Sequence, residues 1–541
     1  MMALKLLNIS RIIVIIVTIM KARDKMTDKM KISEIKFGKI DAHNELQELG
    51  AKFYMDSFLE YEKYKIETFV KGENYFVCGN KGTGKTALLK YLECSLSKDP
   101  RNLLIPIRFK SQFDSMDKKH MKTMVNNIKE DVVSEINTEK EASYILIWQI
   151  YLINQIIKNA NYGEYNLFEE STEYKKLKKL LNILYKDGNG RIIPRLTKGY
   201  VKIDASLLKG LDASVKLDIE FDQRSEKINF NKTAKIILES FKKLTYLDNP
   251  VYIIIDELEL SVKTKKEFSR DIELVRDLIL AVDKMNHMAK ELGYNLKIIA
   301  SIRGEVINNV LAYGYEINKC VEDYGVNVEW FQKGGSYTES PLLKLIENKI
   351  HASEKELGYQ ITDDVWKAYF DSEINDTEVR KYILSYTWQR PRDIIRMMRL
   401  VQDQWKGEDV ISQEMFDRAM QKYSENSWNE IAEELVLSYP NEQDIQAIKK
   451  FFTGIEVPFT YGYLNERAEM LGEIYGYVKD FFDRNKMIDF LEKMFEWGVV
   501  GNSGQRMVFK FLGDRDLSPM GDMILHRPLR NLFAVKSRQD R

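Results

Sequence analysis

Short apolar runs bounded by turn residues alternate with longer stretches of helical spacing along most of this chain. Tyr75-Phe76-Val77-Cys78, Leu103-Leu104-Ile105-Pro106-Ile107-Arg108-Phe109, Val251-Tyr252-Ile253-Ile254-Ile255 and Leu296-Lys297-Ile298-Ile299-Ala300-Ser301-Ile302-Arg303 are too short for helices. Their continuous apolarity suits strands buried on both faces of a parallel sheet. Residues 86–92, 144–157 and 271–292 carry helical spacing between them, and 144–157 is apolar nearly all round, as in a core helix. The pattern predicts an α/β fold around a central parallel sheet. An insertion at about 160–235 announces itself by the turn Asp187-Gly188-Asn189-Gly190 and the strict alternation Val215-Lys216-Leu217-Asp218-Ile219-Glu220-Phe221. That alternation reads as a half-solvated strand, paired with Tyr200-Val201-Lys202-Ile203 in a β-ribbon. The ribbon is either a partner-binding elaboration or a structural flap.

Beyond Trp330 the spacing turns helical: 341–355, 363–369, 376–386, and a helix opening at Pro391, a residue favoured in a helix's first turn. The last hundred residues predict helices at 444–452, 464–475 and 486–497, ended by Gly498. Val499-Val500 and 507–511 then form a hairpin around Gly501-Asn502-Ser503-Gly504. Helices closed by a hairpin make a winged-helix layout. The predicted domains are an apolar N-terminal segment (1–30), an α/β core (31–335), a helical lid (336–430) and a winged-helix-like domain (431–541).

Chemistry enters with the strand ends. Gly79-Asn80-Lys81-Gly82-Thr83-Gly84-Lys85-Thr86, followed by Ala87, fits G-x-x-x-x-G-K-T between a strand and a helix. The glycines let backbone N–H groups turn inward around an anion, and the helix N-terminus adds positive potential. Lys85 is placed to reach β- and γ-phosphates and the Thr86 hydroxyl to hold Mg²⁺. The run 251–255 ends in Asp256-Glu257, an acidic pair suited to hold the Mg²⁺ shell (Asp256) and to take a proton from attacking water (Glu257), with Glu259 a weaker candidate. Ser301 and Arg303 end the next strand, where a γ-phosphate sensor would stand. Arg390 and Arg392 flank Pro391, either as lid arginines reaching a nucleotide or as solvated residues of a helix start.

Composition narrows the field. At 541 residues the chain exceeds one core and suggests roughly three or four domains. Lys+Arg and Asp+Glu are equal at 82 each, so no global field draws it to nucleic acid or an anionic membrane. The helix at 486–497 carries Asp489, Glu492 and Glu496, which argues against groove insertion and favours a protein contact. Three scattered cysteines and five histidines without metal or triad spacing exclude those site classes and fit a reducing cytoplasm. Residues 12–20 are strongly apolar, but Lys5 and Arg11 disfavour a full membrane crossing. That segment reads as a start assigned too early (synthesis beginning at Met26 or Met30), a packed element or a weak anchor.

The ordered set G-N-K-G-T-G-K-T, I-I-I-D-E-L-E, I-I-A-S-I-R, R-P-R-D and a winged helix resembles the AAA+/STAND-like P-loop ATPases, most of all those of bacterial antiphage defence loci. The resemblance implies an ATP- and Mg²⁺-dependent hydrolase working as a cytoplasmic switch, a homo-oligomer that gates an effector protein encoded nearby. It assigns binding and hydrolysis to Lys85, Thr86, Asp256 and Glu257, a sensor role to Arg303 and a lid role to Arg392. The chain has R-P-R-D where a Gly-x-Pro lid motif is usual, and no recognisable effector module. The alternatives are an initiator- or loader-like ATPase using its winged helix on duplex DNA, and a nucleotide-stabilised scaffold with negligible turnover.

Overall fold

The computed structural model describes residues 29–61, 64–108, 143–185, 227–258, 265–304, 317–332, 334–436, 438–504 and 508–537, with short pieces between 196 and 222 and at 306, 307 and 310. Two compact units form. One holds Glu60–Lys81 and Lys85–Val328; the other holds 29–59, Gly82–Gly84 and Glu329–Arg541. The expected features at 12–20 and 187–190, and Glu259, lie outside the described residues.

The first unit is built on a five-stranded sheet. Its strands are β1 (Phe76–Gly79), β2 (Leu103–Arg108), β3 (Val251–Leu258), β4 (Leu296–Arg303) and β5 (Gly325–Asn327), in the order β5-β1-β4-β3-β2. Every neighbouring pair is parallel. Val251 to Ile255 are almost wholly buried, as a central strand covered on both faces requires. Helix α1 (Lys85–Leu96) follows β1 and buries Leu88, Leu89 and Leu92. Helix α2 (Ser143–Lys158) is a core helix, as its apolar circumference predicts. The Trp148 indole N–H donates to Leu274 O at 3.0 Å. Helices α3 (Thr172–Tyr185) and α4 (Phe230–Lys242) pack together. Asn229 caps α4 by accepting from Lys232 N at 3.0 Å. Helix α5 (Lys265–Leu292) then leads to β4.

The β-ribbon is present with a different partner. Tyr200–Lys202 pairs antiparallel with Leu196–Thr197 and with Lys227–Asn229, not with 215–221. Of that alternating stretch, Lys216, Ile219 and Phe221 are described and none lies in a strand. Phe221 N donates to Lys216 O at 3.1 Å, and Asp222 bridges Lys227. Lys227–Asn229 takes the place beside Tyr200–Lys202 that alternation alone had given to 215–221.

The second unit is helical, with α6 (Pro341–Leu357), α7 (Val379–Ser385), α8 (Pro391–Gln402) and α9 (Gln413–Leu435). Pro341 opens α6 and Gly358, at φ +78°, closes it in a left-handed cap. The predicted helix at 376–386 begins only at Val379, because Asn375 and Asp376 both take positive φ in a hairpin turn between Glu373–Ile374 and Thr377–Glu378. One hydrophobic core gathers Leu342, Ile346, Met397 and Phe416 together with Met30, Ile32, Ile35 and Phe37 from the far end of the chain. Helix Ala42–Ser57 is tied to α6 through Lys349, whose ammonium meets the Glu45 carboxylate and Ser57 Oγ.

A second core lies around Trp388, Trp428, Phe451, Phe452 and Phe490 on α10 (Glu442–Phe452), α11 (Tyr461–Ile474), α12 (Gly476–Arg484) and α13 (Met487–Glu496). Helix α12 is an element the sequence pattern did not predict. The predicted terminal hairpin is also corrected. β6 (Val500–Asn502) pairs antiparallel with β7 (Met523–Leu525). Val508 makes a single bridge to Asn502, and Lys510–Leu512 is a 3-10 turn. Phe509 and Phe511 turn onto the His526 ring, and that burial takes them out of strand alignment. Among the described residues no helix is long and apolar enough to cross a membrane.

Candidate functional site

Ligands of parallel α/β sheets bind at the carboxyl ends of the strands. The predicted residues of the first unit converge on that edge. β1 ends at Gly79, the chain turns through 80–84, and α1 starts at Lys85. Gly82 and Gly84 sit at φ +84° and +95°, conformations that a side chain would strain. Lys85 is 9% exposed, and its ammonium donates to Gly79 O and Asn80 O, both at 2.8 Å. Thr86 and Ala87 follow in the first turn of α1.

One strand, β4, separates β1 from β3. The ends of the loop strand and the acidic strand therefore stand about 10 Å apart, two strand spacings. Asp256 is 9% exposed. Its Oδ1 accepts from Glu257 N at 2.8 Å and from the Ser301 hydroxyl, while Oδ2 takes no hydrogen bond from the described residues. Ser301 thus serves the acidic pair as a donor that fixes the Asp256 carboxylate. The register of β3 against β4 shifts between Ile255 and Leu258, and Glu257 inside that bulge sits at φ +63°. Bulges re-aim side chains, and positive φ in a residue with a Cβ is a local strain.

Cations complete the edge. Arg303 lies opposite Gly79 in the β1–β4 register and Arg108 opposite Asp256 in the β2–β3 register. Sequence reading treated Arg108 only as a strand residue, and nothing in its local pattern marks it. Gly304 was also missed. A Cβ there would collide with the Asn80 side-chain oxygen, so that amide would have to rotate aside. Burial pushes the Cys78 thiol up to about 12 against the pull of nearby Lys85, so the one cysteine in β1 is no nucleophile.

Gly82–Gly84 and Arg392 belong to the second unit, where they meet. Arg392 N donates to Gly82 O at 3.4 Å, and a Cβ on Gly82 would stand 3.3 Å from the Arg392 Cβ. The Trp330 indole donates to Thr83 O at 2.7 Å. The Arg392 guanidinium is paired with Glu430 at 2.9 Å. Arg390 instead forks onto Asp393, at 2.9 and 3.0 Å. It also stands 5.5 Å over the Trp388 ring. Among the described residues no group of three or more His, Cys, Asp or Glu side chains is arranged to hold a metal. Any cation here would rest on few protein ligands.

Residues 340–432 match a family described as a FunZ-associated C-terminal helical domain. The matched segment runs from α6 into α9, so this part of the helical unit is similar to that domain. No curated protein matches the chain.

Proposed function

We propose that this chain is a Mg²⁺-dependent ATPase acting as a nucleotide-driven switch, the cytoplasmic, homo-oligomeric ATPase component of a bacterial antiphage defence system that gates a partner effector. The observation that carries the ATPase reading is the pairing of two buried charges on one sheet edge. Lys85 opens α1 after the glycine loop, and Asp256 lies near the end of β3, with β4 between β1 and β3. The ordered motif set supports the defence setting.

In this reading the backbone N–H groups from Gly82 to Thr86 take phosphate oxygens, and the start of α1 adds its dipole. Lys85 exchanges the carbonyls of Gly79 and Asn80 for β- and γ-oxygens. Arg303, beside Gly79 in register, adds a second positive charge. Bound Mg²⁺ would neutralise the charge that builds on the β- and γ-oxygens. Thr86 and Asp256 fit it, because Asp256 Oδ2 takes no protein donor among the described residues and Mg²⁺ is satisfied by one or two carboxylates plus water. Glu257, re-aimed by the bulge, takes the proton of the attacking water.

Phosphate release from ATP tests the reading. Glu257→Gln lowers the rate by about a hundredfold or more while ATP binding persists. An unchanged rate means that Glu257 is not the catalytic base, and negligible release by the unmodified chain means that it is a scaffold.

A further inference from the structure

The chain holds Arg392 in a way that a core ion pair does not require. Its backbone is fixed against the loop tip, by the bond from Arg392 N to Gly82 O and the close approach of its Cβ to Gly82. The side chain nevertheless turns to α9, where Nη1 meets Glu430 Oε1 at 2.9 Å. Nε of Arg392 is buried with no hydrogen-bond partner among the described residues, so a guanidinium with five donors is only partly used.

Glu430 has a second partner. Its Oε2 accepts from Arg396 Nη2, and Arg396 is 6% exposed with its own Nε and Nη1 lacking hydrogen-bond partners among the described residues. Asp393 is fully buried and is taken up by Arg390 and by Trp388 N. The network therefore sets three guanidiniums against two carboxylates. Arg392 is its most exposed guanidinium, and it is the one whose backbone already touches the loop. If Arg392 left, Glu430 would keep Arg396 and no carboxylate would be stranded. Burial opposes ionisation of Glu430, but Arg390, Arg396 and Arg392 outweigh it and hold its carboxyl well below the usual range, so the charge persists at neutral pH. A phosphate group offers denser charge and forked geometry, which favours it over one carboxylate oxygen.

We propose that Glu430 is a positioning residue: it holds Arg392 on α9 in the absence of nucleotide and yields it to a phosphate oxygen at the Gly82–Gly84 tip. Occupancy of the loop is then felt by α9, because Glu430 on that helix loses one of its two ion pairs. This rests on the nucleotide-binding reading and adds to it the residue that competes with the ligand.

The test is a double-mutant cycle on the full chain, with a fluorescent ATP analogue and Mg²⁺ as probe. Glu430→Gln tightens binding by roughly three- to tenfold, the scale of releasing one partly exposed ion pair. Glu430→Asp, which keeps a charge for Arg396 but shortens the reach to Arg392, tightens it in the same direction and serves if the glutamine variant fails to fold. Neither change has an effect in an Arg392→Ala background. Hydrogen exchange in α9 rises on adding the analogue to the unmodified chain, and this response is absent in Arg392→Ala. Equal shifts in both backgrounds, or no tightening, overturn the proposal while leaving the nucleotide reading intact. Failure of the unmodified chain to bind the analogue overturns both.

Discussion

Glu257 combines φ +63° with a β-bulge at the end of a buried strand. A left-handed conformation costs a side-chain-bearing residue about 1 kcal/mol, and such strain gathers at working sites. Glu257→Gly is therefore expected to stabilise the fold by about 0.5–1 kcal/mol in urea melts while removing hydrolysis. Loss of stability would show that the conformation is unstrained. His526 makes a second residue-level prediction. Burial, with Arg530, Arg390 and Arg527 nearby, holds its ring well below the ordinary 6.5. The ring packs 4.6 Å from Trp388 and 4.7 Å from Phe509, and its Nδ1 has no partner among the described residues. The folded chain keeps it neutral, whereas the unfolded chain protonates it below pH 6.5. Its contribution is thus complete above pH 6.5 and is lost as pH falls, with a slope approaching about 1.4 kcal/mol per pH unit. Urea melts at pH 7.5 and 5.5 should differ accordingly, and His526→Phe should flatten the difference; equal slopes in both proteins would contradict it.

At the scale of elements, the start of α8 joins the two helical cores. Ile394 and Met397 belong to one and Trp388 to the other. The Trp388 indole donates to Gly498 O at 3.0 Å, and Asp393 fixes the turn between them. Asp393→Ala would take both carboxylate oxygens from Arg390 and the acceptor from Trp388 N, and is expected to lower stability by about 3–5 kcal/mol in urea melts, against about 1 kcal/mol for Trp388→Phe. The reverse order would mean that the indole bond, not the ion pair, holds the junction. Pro391 and Asp393 made this helix start legible, because first-turn proline and an early carboxylate act locally. Strand β6 was legible while its partner was not. Val500 pairs with Leu525 across a long excursion, and no local alternation reports a contact of that range. On α13 the exposed residues include Asp489, Glu492 and Glu496, a face whose charge opposes DNA phosphates.

For the whole molecule, the four strands read from apolar runs are all present and parallel, because burial leaves a one-dimensional signature, near-continuous in the central β1, β4 and β3 and alternating in the edge strand β2. Their order is not written in those runs. That β4 lies between β1 and β3, bringing Ser301 to Asp256 and Arg303 to Gly79, follows from tertiary packing. The same limit hid the N-terminal residues. Met30, Ile32, Ile35 and Phe37 read as ordinary apolar positions, yet they complete a core made by residues more than three hundred positions away. The glycine loop and acidic pair were legible because each is a contiguous string with its own chemistry; their neighbours Arg108 and Gly304 were not. Calorimetric titration of ATP with Mg²⁺ into the unmodified chain and into Lys85→Ala addresses the central claim directly. Saturable binding that weakens by at least about tenfold without the Lys85 ammonium is the predicted result. Equal binding by both proteins, or none by the unmodified chain, would contradict it.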